Sequence, residues 1–263
     1  AYFFIVGKFA VGWMRYMLPL YPLFSLFGAV FILRLFSLIV NFNFRQFSIY
    51  NFKFSIKSKK LNFKNYNIEN SLKIENLKFK IFIMLVFIGS ILVWPLSFMR
   101  IYTKPNTRVL ASEWIYKNVH PNSIIAREHW DDGLPIGGNI SYKTLDLPIY
   151  EMELPERKNQ IYQTIQEADY IIIPSNRLYE PLQRISKNCQ KWNLPQDRCS
   201  HNANRYYQRL FNGELGYKKV AEFAIYPKLE FGIWNLEFDD SSADESFTVY
   251  DHPKVMIFGK NSL

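Results

Sequence analysis

Charge is missing where the chain is most apolar. No Asp, Glu, Lys or Arg occurs from Ile81 to Met99, IFIMLVFIGSILVWPLSFM. A helix on the surface of a soluble domain keeps one polar face, and this run has none. At 1.5 Å per residue, about 19 residues cross the roughly 30 Å hydrocarbon core of a bilayer. Lys78 and Lys80 bound the run on one side and Arg100 on the other. Trp94 suits a headgroup-level anchor, and Pro95 falls near the end, where a helix tolerates it. The pattern predicts a transmembrane helix over residues 81–99; the alternative is a buried core helix of a soluble protein.

Other absences narrow the chemistry. There are only two cysteines, Cys189 and Cys199, and only His201 lies near them, which matches no zinc spacing. Gly137-Gly138 is not followed by Lys-Ser/Thr, no Gly-x-Gly-x-x-Gly occurs, and no serine sits in a Gly-x-Ser-x-Gly elbow. Phosphate-loop, dinucleotide and serine-hydrolase readings therefore have nothing to rest on. The opening AYFFIV lacks the basic region, apolar core and small-residue site of a signal peptide. It reads as the tail of an earlier apolar element, so the expectation is the C-terminal part of a longer multi-pass protein.

What is present divides by position. Residues 1–16 are apolar but interrupted by Lys8 and Arg15, and read as the end of an upstream helix plus an interfacial segment. Residues 17–40, MLPLYPLFSLFGAVFILRLFSLIV, predict another transmembrane helix, with Pro19 and Pro22 in its first turns and Arg34 free to snorkel. Residues 41–80 form a low-complexity stretch without Gly or Pro, carrying nine Lys/Arg against two Glu. Residues 101–263 carry 19 Lys/Arg against 21 Asp/Glu. The overall charge of +9 therefore belongs to the loop, not to the globular part, and a nucleic-acid partner is not expected. The positive-inside rule places the basic loop in the cytoplasm, which puts residues 101–263 on the extracytoplasmic side. Two cysteines ten apart around a Pro-containing loop fit a disulfide there, the alternative being two free thiols.

Residues 101–263 suffice for one domain. Pro105-Asn106-Thr107 opens a helix whose apolar face is Ala111, Trp114, Ile115 and Val119. Strands are expected over 124–130, 142–150, 170–174, 218–226 and 247–258, and helices over 157–168, 176–185 and 205–211. The last two strands, flanking an acidic loop over 239–245, are expected to pair antiparallel at an edge. The alternation gives an α/β domain. The fold class is thus a membrane α-helical hairpin of two transmembrane helices followed by an extracytoplasmic α/β domain.

The densest polar cluster is Glu128-His129-Trp130-Asp131-Asp132 at a strand end, where ligands bind in α/β domains. Glu128, His129, Asp131 and Asp132 are candidates for acid–base work or for holding a divalent cation; the alternative is a solvated turn. Asp251-His252-Pro253 reads as a turn between β segments. Lys8 and Arg15 lie ahead of a span on the extracytoplasmic side, where cations bind lipid phosphate or simply anchor at the interface.

Lys8 and the run Arg15-Tyr16-Met17-Leu18-Pro19-Leu20-Tyr21-Pro22 resemble the entry to a late transmembrane helix in C-type membrane glycosyltransferases. These are the dolichyl-phosphate-mannose protein mannosyltransferase-like group (glycosyltransferase family 39) and its bacterial aminoarabinose-transferase relatives. Ala111-Ser112-Glu113-Trp114-Ile115, the stretch from Glu128 to Pro135 and that from Ser246 to Val255 resemble the exported tails of that group. The resemblance implies transfer of a sugar from a polyprenyl-phosphate-linked donor to a glycan, lipid or protein acceptor outside the cytoplasm. It implies a catalytic carboxylate in an upstream loop, outside this chain, and places Lys8 and Arg15 near the donor phosphate. A membrane-anchored α/β domain that binds a partner or an envelope glycan without catalysis is the alternative. A soluble hydrolase using Glu128, Asp131 or Asp132 requires both spans to be misread.

Overall fold

A computed structural model describes residues 21–40 and 69–261. They divide into two units, one holding residues 21–40 and 69–95, the other residues 96–261.

The first unit is helical. Helix α1 spans Tyr21–Val40, and helix α2 spans Glu69–Met99 and crosses the boundary into the second unit. The helical run that opens at Met84 is long and apolar enough to cross a membrane, with mean hydropathy of 1.9. Its large side chains, among them Leu85, Val86, Ile91 and Leu92, are exposed. The apolar part of α1 is shorter, Pro22–Arg34. One helix of spanning length is therefore established by length and composition; the paired hairpin is not. The expectations for 1–16, and most of the 41–80 loop, fall outside the described residues. Within that loop α2 already begins at Glu69.

The second unit is an α/β domain with a mixed sheet. Helix α3 (Thr107–Asn118) is followed by strands β1 (Ile124–Arg127) and β2 (Lys143–Asp146), then helix α4 (Pro155–Glu167). Strand β3 (Tyr170–Ile173), helix α5 (Glu180–Asn188) and helix α6 (His201–Phe211) come next. Strand β4 (Tyr217–Phe223) precedes a hairpin of β5 (Lys228–Phe231) and β6 (Trp234–Glu237). A single helical turn α7 (Glu245–Thr248) and strand β7 (Val255–Lys260) end the domain. The five-stranded sheet runs β2-β1-β3-β7-β4, and β5-β6 stands apart. β1 is parallel to β2 and β3; β7 is antiparallel to β3 and β4.

The two-residue period of a strand explains the layers. Ile171, Ile173, Met256 and Phe258 face a core built with Ala203, Tyr206, Tyr207 and Leu210 of α6. Ile172, Val255 and Ile257 face the other side, against Ala111 and Ile115 of α3. Inner strands buried on both faces read as unbroken apolar runs, which is why YIII and VMIF were legible. The edge strand β4 exposes Lys218 and Lys219, charges that discourage further strand pairing.

The junction after α2 is tied to the domain. Phe98 packs against Phe247 and His252, with ring centroids 5.2 and 5.7 Å away. A 3-10 turn, Arg100–Thr103, follows, and Tyr102 Oη donates to Asp251 Oδ1 at 2.8 Å. Asn106 Nδ2 donates to the carbonyls of Tyr250 and Asp251, and its Oδ1 caps α3 by accepting from Arg108 N at 2.9 Å. The expected strand 247–258 is corrected. Asp244 caps α7 at Ser246 N, so the segment starts as a helical turn, and only Val255–Lys260 pairs in the sheet. The antiparallel partnership with β4 is as expected, but β7 lies inside the sheet and β4 is its edge.

Candidate functional site

β1 and β3 are neighbouring parallel strands, so the chain leaving each emerges at the same end of the sheet. Glu128 and its four successors leave β1 there; Ser175 and Asn176 leave β3. α6 and the first turn of α3 supply the rest of the site.

The structure separates the acidic cluster into three environments. Glu128 turns inward and is only 2% exposed. Tyr207 Oη donates to its Oε2 at 2.5 Å. Its Oε1 and the hydroxyl of the adjacent Tyr206 are buried without a hydrogen-bond partner among the described residues. Burial pushes the Glu128 carboxyl up to about 8; the Tyr207 hydrogen bond opposes this and the nearby Asp131 charge adds to it. At neutral pH the group is a carboxylic acid. The same burial, with Glu128 beside them, raises both tyrosine hydroxyls well above their ordinary value.

Asp131 is held by Arg108, whose Nη2 reaches Oδ1 at 2.6 Å, and by the Ser175 hydroxyl on Oδ2. Arg108 Nη1 also reaches Asp132 Oδ2 at 2.8 Å, and the Asp132 side chain remains 75% exposed. His129 and Trp130 face outward; the Trp130 ring lies 5.2 Å from both His129 and Tyr150. The four candidates therefore do not converge on one point. Both Asp131 oxygens are engaged by protein groups and Glu128 is neutral and sealed, so the cluster does not present the open, charged oxygens a divalent cation takes. It is suited to holding a proton and to fixing the loop after β1.

A second buried polar group lies beside it. His252 Nε2 meets Asp240 Oδ2 at 2.8 Å, both buried. Thr248 donates to Asn176 Oδ1, and Asn176 Nδ2 donates to Glu180. The Asp251-His252-Pro253 turn is thus a structural knot between α7 and β7.

A cleft of about 350 Å³ lies between the 148–154 loop, α4 and α6. Ile149, Leu154 and Ile161 supply apolar wall; Arg157, Arg205 and Arg209 line it together with Glu151 and Glu153, and Arg157 is paired with Glu151. Tyr206 forms part of its wall, so one residue borders both the cleft and Glu128.

Cys189 and Cys199 are joined in a disulfide, as expected. His201 lies close to both sulfurs. The disulfide removes the two thiolates that a soft metal would need, so this trio does not fit a metal site in its oxidised form. Lys8 and Arg15 lie outside the described residues. Sequence reasoning missed Tyr206, Tyr207, Arg108 and Ser175. Only their mutual placement in the fold marks them, since Tyr207 is 79 positions from Glu128 in the chain. Compared with protein-family models, with curated proteins and with solved structures, the chain returns no match.

Proposed function

We propose that this chain is the C-terminal portion of an integral-membrane glycosyltransferase that moves a sugar from a polyprenyl-phosphate donor to an extracytoplasmic acceptor. In this reading 17–40 and 81–99 are paired spans, the basic loop is cytoplasmic, and the α/β domain holds the acceptor in the cleft between α4 and α6. The carrying observation is the direct passage of an exposed apolar helix of spanning length into a disulfide-bearing α/β domain. The disulfide favours an oxidising compartment. The Arg15–Pro22 run supplies the enzyme class by resemblance alone, with Lys8 and Arg15 as the donor-phosphate contacts. Membranes carrying the chain should retain labelled polyprenyl phosphate, and Lys8→Gln with Arg15→Gln should lose that retention. Unchanged retention in the double variant would falsify the donor role.

The alternative, a membrane-anchored domain that binds a partner or envelope glycan without catalysis, is favoured by one observation. Glu128 is sealed and Asp131 is ion-paired, so neither strand-end acid is free to act on a substrate. The two readings separate on transfer. Sugar transfer that needs both this chain and a separate acidic loop supports the enzyme; glycan binding without donor binding supports the alternative.

A further inference from the structure

The β5–β6 hairpin is amphipathic in a way the site does not use. Cross-strand pairing sets Leu229 opposite Leu236 and Phe231 opposite Trp234. With a two-residue period, all four fall on one face, while Lys228, Glu230, Asn235 and Glu237 fall on the other. Gly232, at a positive φ of 58°, and Ile233 make the two-residue turn. The apolar end is left open: Phe231 is 77% exposed, Ile233 96% and Trp234 74%. A two-stranded ribbon with its large apolar groups in water has little to stabilise it.

Its location says what covers that face. The Arg100 guanidinium, one residue past α2, pairs with Glu230 Oε2 at 2.5 Å, and Lys228 Nζ meets Glu230 Oε1 at 3.0 Å. Lys104, a few residues further on, is close enough to help hold the Glu230 carboxyl below its ordinary value, after Lys228 and Arg100. The polar face is thus fastened where the apolar helix ends. Three cations gather around Glu230 on the polar face, next in the chain to the exposed Phe231, and cations beside exposed aromatics are the combination that settles at an anionic lipid headgroup layer.

We propose that the β5–β6 hairpin is a lipid-binding foot, its apolar face and Phe231–Trp234 tip lying in the bilayer interface beside the point where α2 leaves the membrane. This rests on the reading of α2 as a span. The foot restricts how the domain tilts over the lipid, which matters for any lipid-linked ligand presented at that surface.

The test uses the full chain in vesicles of phosphatidylcholine and phosphatidylglycerol. The native cysteines are bonded to each other, so an added cysteine takes an environment-sensitive fluorophore alone. Ile233→Cys reports on the foot, Ile91→Cys on the span, and Tyr162→Cys, exposed on α4, on the water-facing domain. The expected result is blue-shifted emission at 233, with quenching by headgroup-region nitroxide lipids well above that at 162. Quenching at 91 with a 233 label that behaves like 162 overturns the foot and leaves the span standing. A 91 label that lipid quenchers do not reach, with the chain released by alkaline carbonate, overturns the span and the foot together. A 233 label shielded from both lipid-borne and aqueous quenchers means protein covers the face, and also overturns the proposal.

Discussion

Glu128 is the residue at which burial and charge compete most directly. Its carboxyl stands at 4.5 when free and at about 8 in the fold. The folded state therefore binds a proton that the unfolded state has released. Its contribution is fully present below about pH 4.5 and is lost as pH rises through about 8, with a slope near 1.4 kcal/mol per pH unit between them. The denaturation midpoint in detergent should fall over that window, and Glu128→Gln should flatten the fall; an equally steep profile in the variant would remove Glu128 as its cause. Arg108 acts in the opposite sense. It is the partner of the buried Asp131, so Arg108→Met strands a carboxylate and should cost about 3–5 kcal/mol. Asp131→Asn in the same chain should recover part of that loss. A cost below about 1 kcal/mol would class the pair with surface ion pairs. Neither partnership was legible in the sequence. Glu128, Asp131 and Asp132 stood out as one cluster because they are neighbours in the chain, whereas Tyr207 and Arg108 reach them only through tertiary packing.

At the scale of elements, what was legible is what local chemistry decides. The start of α3 was readable from Pro105-Asn106-Thr107, and the structure shows Asn106 capping it with a bond two residues on. YIII was readable as a strand because inner strands are apolar on both faces. α6 was expected from Arg205 but starts at His201. Its cap is not local: Glu153 Oε1 accepts from Asn202 N at 2.5 Å and from Ala203 N at 3.2 Å, across a long stretch of chain. Glu153→Ala should weaken that end by about 1 kcal/mol and raise amide exchange at Asn202 and Ala203; unchanged exchange would show that the cap is redundant. The β5–β6 hairpin was missed, although Phe231-Gly232-Ile233-Trp234 sits between alternating apolar and polar residues. Read alone, so short and exposed a ribbon has no core to belong to. The disulfide between α5 and α6 closes a short loop, so Cys189→Ser with Cys199→Ser should lower stability by roughly 2–3 kcal/mol on the chain-entropy argument. A midpoint unchanged by reduction would contradict that.

At the scale of the whole molecule, the proposed reading assigns the parts of the chain to two sides of a membrane. The charge distribution and the disulfide argue from independent physics. Nine cations in residues 41–80 resist translocation, whereas the 189–199 disulfide needs an oxidising surrounding. Both are satisfied if the loop is cytoplasmic and the α/β domain is outside. The ties from Phe98, Tyr102 and Asn106 into the 247–251 segment start the domain directly at the helix exit, leaving no long linker. An impermeant thiol reagent applied to intact cells should therefore label Tyr162→Cys but reach Lys60→Cys only after permeabilisation. Labelling in the reverse order inverts the topology, moves the cleft between α4 and α6 into the cytoplasm, and leaves the disulfide without the redox surrounding it needs. Labelling of both sites in intact cells, or of neither, breaks the link between the charge asymmetry and a crossing at residues 81–99.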